Sequence, residues 1–417
     1  MKAKPSTNYP SDWNFSTLNS LNTRRSATIN PKMFPEEQFE YYSIPAYQDR
    51  GIPFLTHGND IESLKLLLEE GTLLFGKLNP RVEKVWRVGN YFDCRKIGST
   101  EWIPILPANQ VDSDFLYYLL WSEHVMPKAQ SLVSGSTPSR QRVDPRAFYQ
   151  IQVPIPPISE QRCITDVLLK VQTAIEQQAK LIALTNELKT TILNKLLTKG
   201  IYGEKQKNTE MGLIPESWEV LPLEKVASIE RGKFGHRPRN APQFYGGTIP
   251  FVQTGDVTNS DGRIETYTQT LNEEGLRISK MFPAGTILIT IAANIGFTGI
   301  LQFDSACPDS LIGLTPSHAM SVEFLEYYLE TQRPKMDRMA PQGTQKNINI
   351  QFLKPWPVPV PSLAEQKEIA HCLNIIDWKR RLAEKQKMYL ADLFRTLLHE
   401  LMTAQIRVNN VDLVELS

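Results

Sequence analysis

The chain lacks most of the features that announce an enzyme or a membrane protein. It has four cysteines in 417 residues, Cys94, Cys163, Cys307 and Cys372, and no C-x-x-C pair. That spacing suits neither a zinc framework nor a disulfide scaffold, so reduced thiols in a cytoplasmic protein are expected. No run of about 18 apolar residues occurs, and no membrane span is expected. The opening "MKAKPSTNYPSDW" has no apolar core of a signal peptide. The six histidines are scattered, with no pair at metal-ligand spacing. There is no G-x-x-x-x-G-K-S/T phosphate loop and no convincing glycine-rich cofactor motif. The Asn/Asp/Ser-Pro-Pro-aromatic tetrapeptide of amino-methyltransferases is missing too. "LNPRV" (78–82) lacks the second proline and the aromatic. Nothing points to a Ser-His-Asp set. Charge of either sign is not in excess: 46 Lys and Arg face 45 Asp and Glu, for a net +1. A surplus of nonspecific phosphate affinity is therefore not expected.

What is present is a sentence written twice. "VPIPPISEQRCI" (153–164) and "VPVPSLAEQKEI" (358–369) place Glu160-Gln161-Arg162 and Glu365-Gln366-Lys367 205 residues apart. The same offset relates Pro10, Trp13 and Leu18 to Pro215, Trp218 and Leu223. Between these anchors the register drifts but the order holds. "IPFLTHGND" (52–60) parallels "IPFVQTGDV" (249–257), "GTLLF" (71–75) parallels "GTILI" (285–289), and "FLYYLL" (115–120) parallels "FLEYYL" (324–329). The chain is thus a tandem duplication. Each half has a variable globular part, a Pro-rich hinge and about 40 residues of helical pattern.

The helical patterns set the expected architecture. Over 159–199, Ile164, Leu168, Val171, Ile175, Ile182, Leu188, Ile192 and Leu196 form a seam, diluted by Gln178 and Thr185. Over 363–404 the apolar face is Ile369, Leu373, Ile376, Leu382, Leu390, Leu393, Leu397 and Leu401. Both lean toward the 3.5-residue repeat of a coiled coil. Ser159 stands where an N-cap would, and Gly200 where a helix would stop. Forty helical residues span roughly 60 Å. Connectivity lets the second helix run back along the first, an antiparallel pair with a globular domain at each end and pseudo-two-fold symmetry. The alternative is that each helix packs only on its own globular part. The expected boundaries are 1–157 and 206–361 for the globular domains, 158–205 and 362–404 for the helices, and 405–417 for a tail.

In the globular parts, "GTLLFGKL" (71–78), "GTILITIA" (285–292) and "GILQF" (299–303) predict strands, and "SVEFLEYYLETQ" (321–332) predicts a helix. The fold class is α+β. Basic and amide side chains cluster between these patterns: Lys77, Arg81, Lys84 and Arg87; Arg140, Gln141 and Arg142; Arg231, Lys233, Arg237 and Arg239; Gln342, Thr344, Gln345, Lys346 and Asn347. Lys and Arg reach phosphates and guanine edges, and Gln and Asn pair with adenine. Loops of this composition on a rigid scaffold suit the reading of bases. Trp13 and Trp218, at matching positions, are expected to be core anchors.

"GLIPESWEVLPLEKVA" (212–227), "IPFVQTGDV" (249–257), "GTQKNIN" (343–349) and "VPVPSLAEQKEIA" (358–370) together resemble the specificity subunit of type I restriction–modification enzymes. The resemblance covers nearly the whole chain. The first half departs from it with "GSTPSRQRV" (135–143) in place of "GTQKNIN". It implies two target recognition domains that each read half of a bipartite site in double-stranded DNA. Paired helices would set the unread gap and dock two methyltransferase subunits, and restriction subunits can join. This chain would carry no cofactor. S-adenosylmethionine, ATP and Mg would belong to the partner subunits. Two other readings stay open here: an enzyme with an unrecognised motif, and a coiled-coil scaffold with adhesive heads.

Overall fold

The structure, a computed structural model, describes residues 9–23, 27–135, 137–236, 241–292, 294–341 and 346–408. Its longer helices are α1 (Ser113–Trp121), α2 (Ile158–Lys199), α3 (Val322–Met339) and α4 (Leu363–Met402). The chain divides into two compact units. The first holds Met1–Ala179 and Lys385–Ser417, the second Lys180–Glu384. Each unit therefore contains one globular part and one half of each long helix.

In the first unit a five-stranded sheet runs in the order Ala27–Ile29, Lys65–Leu68, Arg95–Gly98, Gln38–Tyr42, Phe54–His57. A three-stranded sheet has Leu73–Gly76 at its centre, between Val85–Arg87 and Trp102–Ile105. The central strand is buried at all four residues, which explains why "LLFG" reads as a continuous run and does not alternate. The second unit has a five-stranded sheet, Ala227–Arg231, Leu311–Pro316, Ile287–Thr290, Thr298–Leu301, Gly262–Ile264. Its four-stranded sheet is Gln269–Leu271, Tyr245–Phe251, Ser305–Cys307, Lys280–Phe282. The α+β class and the strands expected at 71–78, 285–292 and 299–303 are those observed.

The repeated Pro-rich hinge is a strand. Gln152–Ile155 pairs antiparallel with Asn14–Thr17, and Pro357–Val360 pairs with Glu219–Pro222 in the same register. The helix that follows begins at a buried joint built twice from the same residues. Glu160 accepts the indole N–H of Trp13 at 3.0 Å, and Glu365 that of Trp218 at 3.0 Å. Gln161 accepts the backbone N–H of Asp112 at 2.7 Å, and Gln366 that of Ser321 at 2.7 Å. Asp112 and Ser321 are themselves the N-caps of α1 and α3. Both Trp anchors are buried, as expected. The second oxygen of each carboxylate serves the chain leaving the other long helix. Arg407, beyond α4, donates Nε to Glu160 at 2.9 Å, and the backbone N–H of Ile201, beyond α2, donates to Glu365 at 3.1 Å. Gly200 turns the chain there at φ +64, and a Cβ would sit 2.6 Å from the Glu365 carboxylate. Only glycine fits both demands. The start of α2 lies at Ile158, so Ser159 is in its first turn and is not the N-cap.

Within each unit the helix halves pack on each other and on the globular part. Ile164 and Leu168 share a core with Phe115, Leu119, Leu401 and Met402 in the first unit. Leu193 joins Ile369, Leu373 and Phe324 in the second. The pairing there is antiparallel: Lys189 meets Asp377 at 3.2 Å, and Ile201 meets Glu365. Three seam assignments need correction. Leu188, Leu382 and Leu393 are 49%, 41% and 45% exposed. Alternating steps of three and four from Ile182 through Thr185 land on Lys189, one residue past Leu188. The same stride in α4 selects Arg380, Ala383, Leu390 and Phe394, and passes by Leu382 and Leu393. One residue is about 100° around a helix. The stripe thus continues through polar and small residues at Lys189, Arg380 and Ala383, where an apolar reading loses it, and through Phe394 in place of its equally apolar neighbour Leu393.

A buried polar cluster fills that stretch in the second unit. Glu326 of α3 lies where Tyr117 stands in the first half. It is buried and accepts from the Thr298 hydroxyl at 3.0 Å. Lys189, Glu330 and Asp377 face it, and Tyr327 donates to Asp377 at 2.7 Å. Burial, with the charge of Glu330 adding to it, pushes the Glu326 carboxyl from an ordinary 4.5 to about 8.

Two expectations follow from these joints. Glu365→Ala leaves the buried Trp218 indole N–H and the partly buried Ile201 N–H without this acceptor. At about 1–3 kcal/mol for each, it should destabilise the second unit by about 2–6 kcal/mol in chemical denaturation. An unchanged midpoint would contradict the joint. Glu326 holds its proton better folded than unfolded, so its contribution is full below the ordinary carboxyl range and fades as pH rises toward about 8. Glu326→Gln, always neutral, should flatten the fall of Tm between pH 5 and 8.

Candidate nucleic-acid interface

The clearest gathering of the candidate residues lies beyond the end of the strand Leu73–Gly76. Leu78 makes an antiparallel bridge to Arg142, and the Val143 N–H donates to the Lys77 carbonyl at 3.0 Å. The Asn79 N–H donates to the Gln141 carbonyl at 2.8 Å, with Asn79 in the left-handed region at φ 48. On its other side, Arg142–Val143 pairs with Val133–Ser134. Lys77 N–H reaches the Glu101 carbonyl, and its Nζ the Thr100 carbonyl, both at 2.8 Å. Three chain segments far apart in sequence are therefore knit into one edge. An open cleft of about 500 Å³ beside it is lined by Lys77, Ser131, Val133, Arg142 and Asp144 among others.

Side chains at this edge differ in what they can reach. Arg142 is half exposed and paired with Glu101: Nε lies 3.2 Å from Oε1 and 3.1 Å from Oε2, and Nη2 lies 3.0 Å from Oε1. That hydrogen bonding pushes the guanidinium pKa further up. Arg81 and Arg140 are exposed, and the Gln141 amide reaches back to the Gly135 carbonyl at 3.5 Å. Lys84 is buried, and its ammonium donates to the carbonyls of Leu78 and Asn79 at 3.1 Å each, and to that of Val82. Burial pulls its pKa down. It braces the 78–82 loop from inside and is no phosphate ligand. Arg87 turns to α1, where it pairs with Asp114 and lies over Tyr117. Neither belongs with Lys77 and Arg142.

The second unit repeats the edge with different side chains. Ala292 bridges Asn347, the Ile348 N–H donates to the Ile291 carbonyl at 3.0 Å, and the Ile291 N–H reaches the Ser310 carbonyl at 3.3 Å. Asn347 thus occupies the place of Arg142, and Ser310 that of Glu101. Asn347 is exposed, whereas Lys346 is paired with Asp337 at 2.8 Å. Arg231 donates Nε to the Asp309 carbonyl at 2.7 Å, and Lys233 is exposed on the adjoining segment. Arg237, Arg239, Gln342, Thr344 and Gln345 lie outside the described residues.

The residue that sequence reading missed is Glu101. An isolated acid in a turn carries no signal until its partner, 41 positions away, is brought to it. Among the described residues, no helix is long and apolar enough to cross a membrane.

Residues 215–389 match the type I restriction modification DNA specificity domain. The chain is 28% identical over 359 residues to the putative type I restriction enzyme MjaX specificity subunit of Methanocaldococcus jannaschii, covering 84% of this chain and 81% of that one. It is 23% identical over 334 residues to the EcoBI specificity subunit of Escherichia coli, covering 70% and 67%. A solved type I restriction–modification S subunit from M. genitalium shares the fold with a TM-score of 0.60 at 16% identity, covering 96% of this chain and 98% of that one. A chain solved in a study of type I complex assembly and conformational transition gives 0.59 at 21% identity, covering 95% and 99%. The matched domain and the relatives that span both halves make this chain similar to the specificity subunits of type I restriction–modification enzymes, and the solved structures share its fold.

Proposed function

We propose that the chain addresses a type I complex to a bipartite DNA site, each globular part reading one half. As a specificity subunit it is non-catalytic. The observation that carries the finer reading is the repeated edge. Both units hold an exposed side chain of a base-pairing type, Arg142 or Asn347, at the same backbone bridge on the same scaffold. The domains 1–157 and 206–361 are then the two recognition domains, the helices 158–205 and 362–404 set the unread gap, and 405–417 is a tail.

Two features bear on partners. The helices carry exposed apolar side chains, among them Leu181, Leu184, Trp378, Met388 and Tyr389, which we assign to the docking of two methyltransferase subunits. The chain also has a net charge of only +1, and its edge cations Arg142 and Lys346 are already paired with acids. It should therefore bind DNA weakly alone, with the methyltransferase subunits supplying most phosphate contacts. S-adenosylmethionine belongs to them, and ATP and Mg to restriction subunits, in a cytoplasmic complex. Methylating a base requires its extrusion from the stack, so distortion of the half-sites is expected in the full assembly.

The deciding experiment is the methylation pattern of the host genome with and without this gene. Loss of adenine methylation at one bipartite motif on deletion is expected. An unchanged pattern, together with failure to co-purify with a methyltransferase, would overturn the reading. The spacer role has its own check. One heptad inserted into 159–199, with a matching one in 363–404, should lengthen the gap and leave both half-sites as they were.

A further inference from the structure

A guanidinium offers two parallel-donor edges, one formed by Nε with an Nη and one by the two Nη groups. Glu101 occupies the first edge of Arg142 through Nε and Nη2. Among the described residues Nη1 donates to no protein acceptor, and the side chain is 48% exposed. The open Nη1–Nη2 edge has the spacing of guanine O6 and N7. Its backbone is fixed on both sides, by the bridge to Leu78 and the pairing with Val133–Ser134. Its donors are therefore held in one orientation before any ligand arrives.

Charge decides between a base and a phosphate. A guanidinium neutralised by a carboxylate has little net attraction for a phosphate, and Glu101 would repel one. The hydrogen-bond donors of the free edge are unaffected, and a guanine edge is uncharged. The second unit fits the same logic. Where the position holds the neutral amide of Asn347, the place of Glu101 is taken by Ser310 and no acid is needed.

We propose that Arg142, held side-on by Glu101, reads a guanine in one half-site, with Glu101 as its positioning residue. This rests on the DNA-addressing function proposed above. The test uses the full chain with its methyltransferase subunits, and selects preferred sites from randomised duplexes. The wild-type motif should contain a fixed guanine. Arg142→Ala should lose preference at that position by about ten- to a hundredfold, with the rest of the motif and the gap retained. Arg142→Lys should lose it as well, because an ammonium cannot present two parallel donors. Glu101→Gln should weaken discrimination at the same guanine severalfold and nowhere else. Uniform weakening by Arg142→Ala, rescue by Arg142→Lys and tighter binding to all sequences by Glu101→Gln would identify a phosphate contact and overturn the proposal. A wild-type motif unaffected at every guanine would overturn it too, while leaving the addressing function intact. No sequence preference in the wild-type complex would instead overturn that function. Thermal melting of each variant separates misfolding from lost recognition, and Glu101→Gln, at a partly exposed site, tests the pairing without touching the reader.

Discussion

Everything in this chain hangs from a buried carboxylate at the start of each long helix. Glu160 and Glu365 are nearly inaccessible, and an uncompensated charge there would be costly. Each is compensated by an indole N–H from the first strand of its own half and by a donor from the chain leaving the other helix. The neighbouring Gln161 and Gln366 fasten the caps of α1 and α3 to the same point. One dipeptide thus ties strand, helix cap, long helix and returning chain together. That explains why Glu-Gln and Trp are what the duplication retained while the register between them drifted.

The same economy of charge runs through the edge that holds Arg142. A neutral chain reads best when its cations are pre-paired, since pairing fixes their direction and removes their indiscriminate pull on phosphate. Arg142 with Glu101 has this form. Lys84 shows the opposite use of a cation, buried to hold carbonyls and with them the loop that flanks Arg142. On the proposed reading, nonspecific affinity would fall to the other subunits, and this chain would keep the part of the energy that depends on orientation.

Much of this was readable in advance, for identifiable reasons. Buried strands such as Leu73–Gly76 and Ile287–Thr290 are continuous apolar runs, and the long helices repeat at steps of three and four. The expected seam departs from the observed one at Lys189, Arg380 and Ala383, where the stripe turns polar or small and hydrophobicity no longer marks it, and at Leu393, whose apolar neighbour Phe394 takes the inward position. The basic clusters were also visible as composition. Sorting them was not: Lys84, Arg87 and Arg142 look alike in sequence, yet one braces a loop, one pairs with a helix and one faces outward.

The sequence by itself determined the duplication, the α+β class, the two long helices and the Trp and Glu-Gln anchors. These rest on local periodicity and on composition repeated at a fixed offset. Only the tertiary structure decided which side chains share an edge. Lys77, Glu101 and Arg142 meet because a strand end, a turn and a bridge converge from three places in the chain. Such convergence leaves no periodic trace, and an acid becomes a partner only when folding brings a cation within reach.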